Sequence, residues 1–295
     1  MLSVLAKGTI AAVVSNFLFA ALYLFSEWMK PTTGTTVFAW RMVSTFICLW
    51  SWLLLTQRHH VFFADLRRVL KIKRNYFLLP FTSAVLVSQM WMFMWAPVNG
   101  YGMDIAVSYF LFPLSMIVAG RFFFGDKLNK MQSLAVTAAA IGVLIQIFYA
   151  RSFSWVTAWS PIGYPIYFVL RRKMGMPSGS GLMTDITLSL PVALLILFIG
   201  GSGIDINISR YWLLVPLLGI FSAAAMQYNL FAAFNLPVPL YSIISYLEPT
   251  LLFIIAILWM HTPIKTADAF SYAFIGTGII LMLLNNRMML KKHSA

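Results

Sequence analysis

The decisive stretch of this sequence reads Ser245-Tyr-Leu-Glu-Pro-Thr-Leu-Leu-Phe253. It places the ionisable Glu248, followed by Pro249, in the middle of an apolar run from about residue 239 to 259. A charge near the centre of a bilayer costs at least about 2.5 kcal/mol, so such a side chain normally faces a bundle interior or a water-filled cavity. The rest of the fold therefore has to keep Glu248 away from lipid.

The composition of the whole chain points to a membrane protein. Of its 295 residues, 61% are hydrophobic and only 10% are charged, whereas a soluble domain carries about 25% charged residues. The first apolar run is predicted to be a retained helix rather than a signal peptide. The single cysteine, Cys48, excludes a disulfide framework. The net charge of +13 does not indicate nucleic-acid binding, because the basic residues cluster between apolar runs.

Ten apolar segments are predicted to be transmembrane helices, since about 20 helical residues cross the hydrocarbon core. Period-2 alternation is absent, which argues against a membrane β-barrel. The predicted class is an all-α integral membrane protein. The segments lie at roughly 8–28, 34–55, 76–96, 104–124, 132–149, 153–170, 182–200, 211–232, 239–259 and 267–285.

The distribution of lysine and arginine predicts the orientation. Positively charged loops stay in the cytoplasm, so both termini are expected on the cytoplasmic side. The expected location of the protein is the inner membrane. Sixteen cations fall on the predicted cytoplasmic side: Lys7, Arg58, Arg67, Arg68, Lys71, Lys73, Arg74, Arg121, Lys127, Lys130, Arg171, Arg172, Lys173, Arg287, Lys291 and Lys292. Four fall on the opposite side: Lys30, Arg151, Arg210 and Lys265.

The basic stretch from Arg58 to Arg74 also contains apolar residues, among them Phe62, Phe63 and Val69. Two interpretations are open. The stretch is either a short interfacial helix on anionic lipid or simply a determinant of topology.

A repeat emerges when the chain is aligned with itself at an offset of 136 residues. The matched pairs are Pro80 with Pro216, Asn99 with Asn235, Pro113 with Pro249 and Gly142 with Gly278. The first two segments of each half do not match at this offset. Because five segments per half is an odd number, we expect two antiparallel five-helix repeats, residues 1–150 and 151–295. Inverted repeats place the substrate near the midplane between them.

Several motifs resemble one transporter family. They are Ser108-Tyr-Phe-Leu-Phe-Pro-Leu114, Gly125-Asp-Lys-Leu-Asn-Lys-Met-Gln132, Ala140-Ile-Gly-Val-Leu-Ile-Gln146, Leu247-Glu248-Pro249 and Leu170-Arg-Arg-Lys173, with Arg41 in the second segment. Together they are similar to the RarD-like branch of the drug/metabolite transporter (EamA) superfamily, over essentially the whole chain. The resemblance implies ten helices in two antiparallel halves and movement, most often export, of small metabolites or drugs.

Two departures from the family pattern bear on substrate class rather than fold. Phe19-Ala20 stands where the superfamily commonly has Trp-Gly, and Met260-His261 replaces a Gly-Glu after the ninth helix.

Glu248 is the first candidate for substrate binding. Tyr241, Ser245 and Glu248 recur at helical spacing and form one polar stripe, and Pro249 withholds a backbone donor from the preceding turn. Glu248 is interpreted as a binding carboxylate for an ammonium group or as a proton site; the alternative is a buried carboxylate that fixes helix packing.

Arg41 is the second candidate, at nearly the same predicted depth as Glu248. It could bind a substrate carboxylate with its guanidinium fork, form a structural salt bridge with Glu248, or extend its charge towards the outer surface. The first two roles stay open at this point.

Other intramembrane polar and aromatic residues complete the predicted site. Aromatic rings beside a carboxylate suit organic cations, although they also fill cores and interfacial belts, and deep amides also bond between helices. The further substrate-binding candidates are Gln89, Trp91, Tyr109, Gln227, Ser245 and Tyr246. The access-path candidates are Asn16, Tyr23, Glu27 and Asp104. Asp185 is expected to pair with Arg171 or Arg172.

The predicted function is secondary transport of small amphipathic metabolites such as amino acids, amines or drugs, by alternating access. Protons are a candidate coupling ion, and the chain is expected to be a monomer or homodimer in the lipid bilayer. No metal or cofactor is expected, since the histidines lack ligand spacing and no phosphate-binding loop occurs. An uncoupled facilitator and a membrane-embedded lipid-handling enzyme are the alternatives.

Overall fold

The structure, a computed structural model, describes residues 4–125, 127–150, 153–200, 210–261 and 266–294. These ranges are almost entirely helical. The helices are α1 Val4–Trp28, α2 Gly34–Leu55, α3 His59–Leu70, α4 Asn75–Val98, α5 Gly102–Phe124, α6 Lys130–Ile145, α7 Trp155–Met174, α8 Ser178–Ile199, α9 Arg210–Asn235, α10 Val238–Ser245, α11 Leu247–Leu258 and α12 Thr266–Ser294. A π-helical turn, Gln146–Ala150, continues α6.

The described residues contain nine spans that are long and apolar enough to cross a membrane. They include no strand. This is the pattern of an all-α multi-pass membrane protein, because a helix satisfies its backbone hydrogen bonds internally in lipid. α7 lies where the sixth segment is predicted but is not among the nine; its 20 residues include Pro161 and Pro165 and end in Arg171, Arg172 and Lys173. That α7 is a tenth membrane-spanning helix therefore stays a prediction.

The structure adds detail at two places. α3 is a separate helix within the basic stretch, preceded by a turn in which Gln57 adopts a positive φ of 54°. The predicted ninth segment is interrupted at Tyr246, between α10 and α11. Of the four cations predicted on the outer side, Arg151 and Lys265 lie outside the described residues.

The chain folds into two compact units. We call Met1–Asn16, Gly100–Pro165 and Phe231–Ala295 the first unit, and Phe17–Asn99 and Ile166–Leu230 the second unit. Each unit takes helices from both sequence halves. The predicted boundary at residue 150 separates the two sequence repeats and is a different division from these two units. The division into two repeats stays a prediction.

The first unit is built on close packing of α6 against α12. A Cβ atom at Gly142 would lie 2.9 Å from the Ser271 carbonyl oxygen and 2.7 Å from the Ile275 side chain, and a Cβ atom at Gly278 would lie 2.7 Å from the Ala135 carbonyl oxygen. The Ser271 hydroxyl also donates to the Gly142 carbonyl oxygen at 2.7 Å. Small residues are what allow helix backbones to approach in a membrane.

The second unit packs α2, α4 and α8 together around buried apolar side chains. Gly34 fits closely against α4, since a Cβ atom there would lie 2.5 Å from the Met94 carbonyl oxygen. α9 reaches α2 in the same way at Gly219, where a Cβ atom would lie 2.7 Å from backbone atoms of Ser44. The sequence shows where these glycines lie, but only the tertiary structure shows which helices cross at them.

Candidate functional site

In the first unit the distinctive feature is the interrupted helix α10–α11. Pro249 has no amide hydrogen to donate to the Ser245 carbonyl oxygen one turn earlier. Around it the Tyr246 amide bonds to the Ile243 and Ile244 carbonyl oxygens instead of the oxygen four residues earlier, while the Thr250 amide makes the regular helical bond to the Tyr246 carbonyl oxygen at 3.3 Å. The helical hydrogen-bond pattern is therefore interrupted at Tyr246, and Glu248 sits in the first turn of α11.

Glu248 lies in the first turn of α11, and its side chain is partly buried. Ser245, one turn earlier, donates its hydroxyl to the Tyr241 carbonyl oxygen at 2.9 Å. The stripe predicted from the sequence is thus interrupted by the break, which brings the carboxylate to a helix N-terminus.

Tyr246 lies at the break and is 4% exposed. Its ring shares a core cluster with Met103, Val107 and Leu111 of α5. Its hydroxyl is buried and has no hydrogen-bond partner among the described residues. Buried hydroxyls in proteins are almost always paired, so Tyr246 is a candidate for contact with a ligand, as are the other buried polar atoms of this unit without a partner in the described part of the chain, in Ser160, Gln146 and Asn286.

The remaining candidates of the first unit bind neighbouring helices. Asp104 accepts a hydrogen bond from the Thr157 hydroxyl at 3.2 Å, and the Tyr109 and Tyr164 hydroxyls lie 3.1 Å apart. Asn16 donates to the Ile244 carbonyl oxygen at 3.3 Å. Tyr109 faces α7, whereas the α5 residues packed with Tyr246 recur at i and i+4 on another face.

In the second unit the centre of the predicted site is Arg41. It is the eighth residue of α2 and only 2% exposed. Its Nε donates to the Ser222 hydroxyl at 3.0 Å, and its guanidinium lies 5.5 Å from the centre of the Phe93 ring. The guanidinium is therefore buried between helices, beside one hydroxyl group and one aromatic ring.

Tyr23 packs edge-on against the same Phe93 ring, with ring centroids 5.6 Å apart, and is fully buried. Gln89 is 1% exposed and lies one turn before Phe93 on α4. Phe93 is thus the ring that both Arg41 and Tyr23 contact. The role of Tyr23 on an access path stays a prediction.

The other candidates of the second unit lie further from this cluster. The Trp91 indole donates to the Thr35 hydroxyl at 3.0 Å and stacks on Trp95, which ties α4 to the start of α2. Glu27 forms an ion pair with Lys30 at 2.6 Å at the end of α1. Gln227 is half-buried in α9.

A second buried charge cluster lies in this unit. Asp185 forms an ion pair with Arg171, as the sequence predicts, and accepts hydrogen bonds from the Ser83 hydroxyl at 2.6 Å and the Tyr167 hydroxyl at 2.7 Å. The cluster joins α4, α7 and α8. Its charges are paired internally, so it is a structural tie between helices.

Sequence reasoning missed Ser222, Phe93 and Tyr164. Their signal is weak, because serine and phenylalanine are common in membrane helices and only the helix crossings place these three beside Arg41 or Tyr109. Among the described residues no group of three or more His, Cys, Asp or Glu side chains is arranged to hold a metal ion.

Comparison with known proteins identifies relatives over nearly the full length. An uncharacterised transporter of Haemophilus influenzae is 36% identical over 99% of this chain and 98% of its own. The chloramphenicol-sensitive protein RarD of Pseudomonas aeruginosa is 31% identical over 98% of this chain and 97% of its own. The uncharacterised transporter YojE of Bacillus subtilis is 26% identical over 93% of each chain.

Two further comparisons bear on the fold. A solved crystal structure superposes with a TM-score of 0.57 over 96% of this chain and 98% of its own, at 15% identity. No family model matches the chain.

Proposed function

The chain belongs to the RarD-like family of membrane transporters, and on that premise we propose that it is a secondary transporter that moves small amphipathic solutes by alternating access. The observation that carries the proposal is the helix interrupted at Tyr246, with Glu248 in the first turn after the break. Interrupted helices at mid-membrane are where transporters bind substrates, since their free backbone groups and helix ends meet polar ligands.

The charged residues indicate the chemical class of the substrate. Glu248 offers a carboxylate to an ammonium group, and Arg41 offers a buried guanidinium to a carboxylate. The aromatic residues Tyr246 and Phe93 add apolar surface. We therefore propose amino acids, amines and related drugs as substrates, with Gln89, Gln227, Trp91, Tyr109 and Ser245 as secondary polar and aromatic contacts.

Alternating access requires two states of similar energy, and an inverted repeat supplies them by symmetry. Two features support such a repeat. Gly142 packs on Ser271 and Ile275, and Gly278 packs on Ala135 and Ala139. At the offset of 136 residues Gly142 corresponds to Gly278, Ala135 to Ser271 and Ala139 to Ile275. The two contacts are therefore equivalent under the repeat. The helices α2 and α8 both have 22 residues and begin and end 144 positions apart. We propose that the first two segments of each half match at this second offset.

Glu248→Gln tests the proposal in proteoliposomes, with counterflow of a panel of amino acids, amines and amphipathic drugs at several pH values. We expect transport of ammonium-bearing solutes to fall at least about tenfold, because a buried charge–charge contact is worth more than 1.4 kcal/mol. Asp65→Asn is the matched control, since its carboxylate is ion-paired with Arg68 on α3, outside the proposed site. Normal transport by Glu248→Gln at every pH would rule out both the cation-binding and the proton-binding role.

Export is the proposed direction, and protons are the proposed coupling ion through Glu248. An uncoupled facilitator is the second candidate. The same vesicles separate the two, because only a coupled transporter concentrates solute against its gradient when a pH gradient is imposed, whereas a facilitator shows counterflow alone. We further propose that the protein lies in the inner membrane with both termini in the cytoplasm, an orientation that the charge distribution supports.

A further inference from the structure

The helix α3 and its flanking loops carry a surface that the transport mechanism does not use. Six cations in this part of the chain are exposed, and we call them the basic face: Arg58, Arg67, Arg68, Lys71, Lys73 and Arg74. The one carboxylate in the stretch, Asp65, is occupied by Arg68 at 3.1 Å and by the Ser180 hydroxyl at 2.7 Å. The basic face therefore has a strong excess of positive charge.

The opposite side of α3 is fixed to the protein. Phe62 and Val69 are 4% and 2% exposed. Phe62 packs edge-on against Trp50 of α2, and Val69 shares a cluster with Leu79 of α4 and Met174 of α7. Asn75 donates to the Val69 carbonyl oxygen at 2.7 Å. The cations are thus presented from a docked helix, which lowers the entropy cost of binding a ligand.

Exposed apolar side chains at the ends of the neighbouring spans lie next to the basic face in the chain. Leu55 at the end of α2 is 84% exposed and Phe77 in the first turn of α4 is 81% exposed. Side chains of this kind on a membrane helix contact lipid chains. Since Arg58 follows Leu55 by three residues and Arg74 precedes Phe77 by three, these cations lie at the level of the lipid head groups.

We propose that the basic face is a binding site for anionic phospholipid head groups. Phosphate groups accept hydrogen bonds from arginine and lysine, and each cation near an anionic leaflet contributes roughly a fivefold gain in affinity. A topology signal needs only the positive charges. The docked amphipathic helix, with Asp65 already neutralised and apolar residues beside the cations, has the additional features of a lipid-binding surface.

The test compares two triple variants of the full-length purified protein. Arg67→Gln/Lys71→Gln/Lys73→Gln removes three charges from the basic face. Lys127→Gln/Lys130→Gln/Arg287→Gln removes three exposed charges of the same predicted side from the first unit. Binding of phosphatidylglycerol and phosphatidylcholine to detergent-solubilised protein is measured by native mass spectrometry. The first variant should bind phosphatidylglycerol at least tenfold more weakly, and the control variant should change by less than twofold.

The charge-retaining variant Arg67→Lys/Lys71→Arg/Lys73→Arg should keep its affinity for phosphatidylglycerol, and it covers the case in which the glutamine variant fails to fold. Equal losses in both glutamine variants would show that the stretch acts only as a topology signal. Equal binding of the two lipids by the native protein, or tighter binding of soluble polyglutamate than of phosphatidylglycerol, would also overturn the proposal.

Discussion

At the scale of single residues, the two predicted site charges sit in contrasting surroundings. Arg41 is enclosed, with its Nε on Ser222 and its guanidinium near Phe93, whereas Glu248 is partly exposed at the start of a short helix. The two side chains therefore differ in how far solvent reaches them: Arg41 is 2% exposed, whereas Glu248 is only partly buried.

Tyr246→Phe is the sharpest residue-scale prediction. Because the Tyr246 hydroxyl is buried without a partner among the described residues, its removal should leave the free energy of unfolding unchanged or raise it by up to about 1 kcal/mol. If the hydroxyl meets substrate, KM should rise by about twofold to tenfold, as one hydrogen bond predicts.

Tyr211→Phe is the control for this variant, since the Tyr211 hydroxyl lies outside the proposed site and is paired with the Thr32 hydroxyl and the Met29 carbonyl oxygen. It should lower the free energy of unfolding by about 1 kcal/mol. The measurements are thermal unfolding in detergent and initial transport rates in proteoliposomes. An unchanged KM for Tyr246→Phe across the solute panel would remove Tyr246 from the site.

At the scale of helices, close crossings at small residues hold each unit together. Membrane helices gain no hydrophobic free energy from leaving lipid, so packing and interhelical hydrogen bonds must supply the association. The α6–α12 crossing combines both, with Gly142 and Gly278 at the contacts and the Ser271 hydroxyl on the Gly142 carbonyl oxygen.

Alanine at Gly142 or Gly278 should therefore lower the free energy of unfolding by about 1–3 kcal/mol, the usual cost of overpacking. Gly276 lies on the same helix with no atom within 4 Å of an added Cβ, and Gly276→Ala should be neutral or stabilising by up to about 1 kcal/mol. Thermal unfolding of the three purified variants gives the comparison. Equal effects at all three positions would mean that helix propensity, not the crossing, decides stability.

At the scale of the whole molecule, the charge distribution predicts which way the chain enters the bilayer. The basic stretch around α3 carries more positive charge than any loop predicted on the outer side, and such loops remain in the cytoplasm. We therefore propose that the same stretch serves both orientation and lipid binding.

The orientation can be tested by labelling single cysteines with a membrane-impermeant maleimide after Cys48→Ser. Asn99→Cys, in an exposed loop between α4 and α5, should react in intact cells. Lys7→Cys and Lys127→Cys should react only after permeabilisation. The reverse labelling pattern would contradict the predicted topology.

The sequence by itself determined the all-α membrane class of the fold, because the length and apolar character of each segment are local properties that decide whether it can span a bilayer. It also singled out Glu248 and Pro249, since a carboxylate beside a proline is costly inside an apolar run. The division of the ninth segment at Tyr246 was not predicted, because the loosening of a helix by proline depends on its packing.

Only the tertiary structure decided which side chains meet. Ser222 and Phe93 reach Arg41 from helices 181 and 52 positions away, and Tyr164 reaches Tyr109 from α7. Such partners depend on where helices cross, and crossings are set by glycine contacts such as Gly219 on Ser44. In a membrane these contacts arise from complementary shape, which no single segment encodes, whereas the tendency to span the bilayer is encoded in each segment alone.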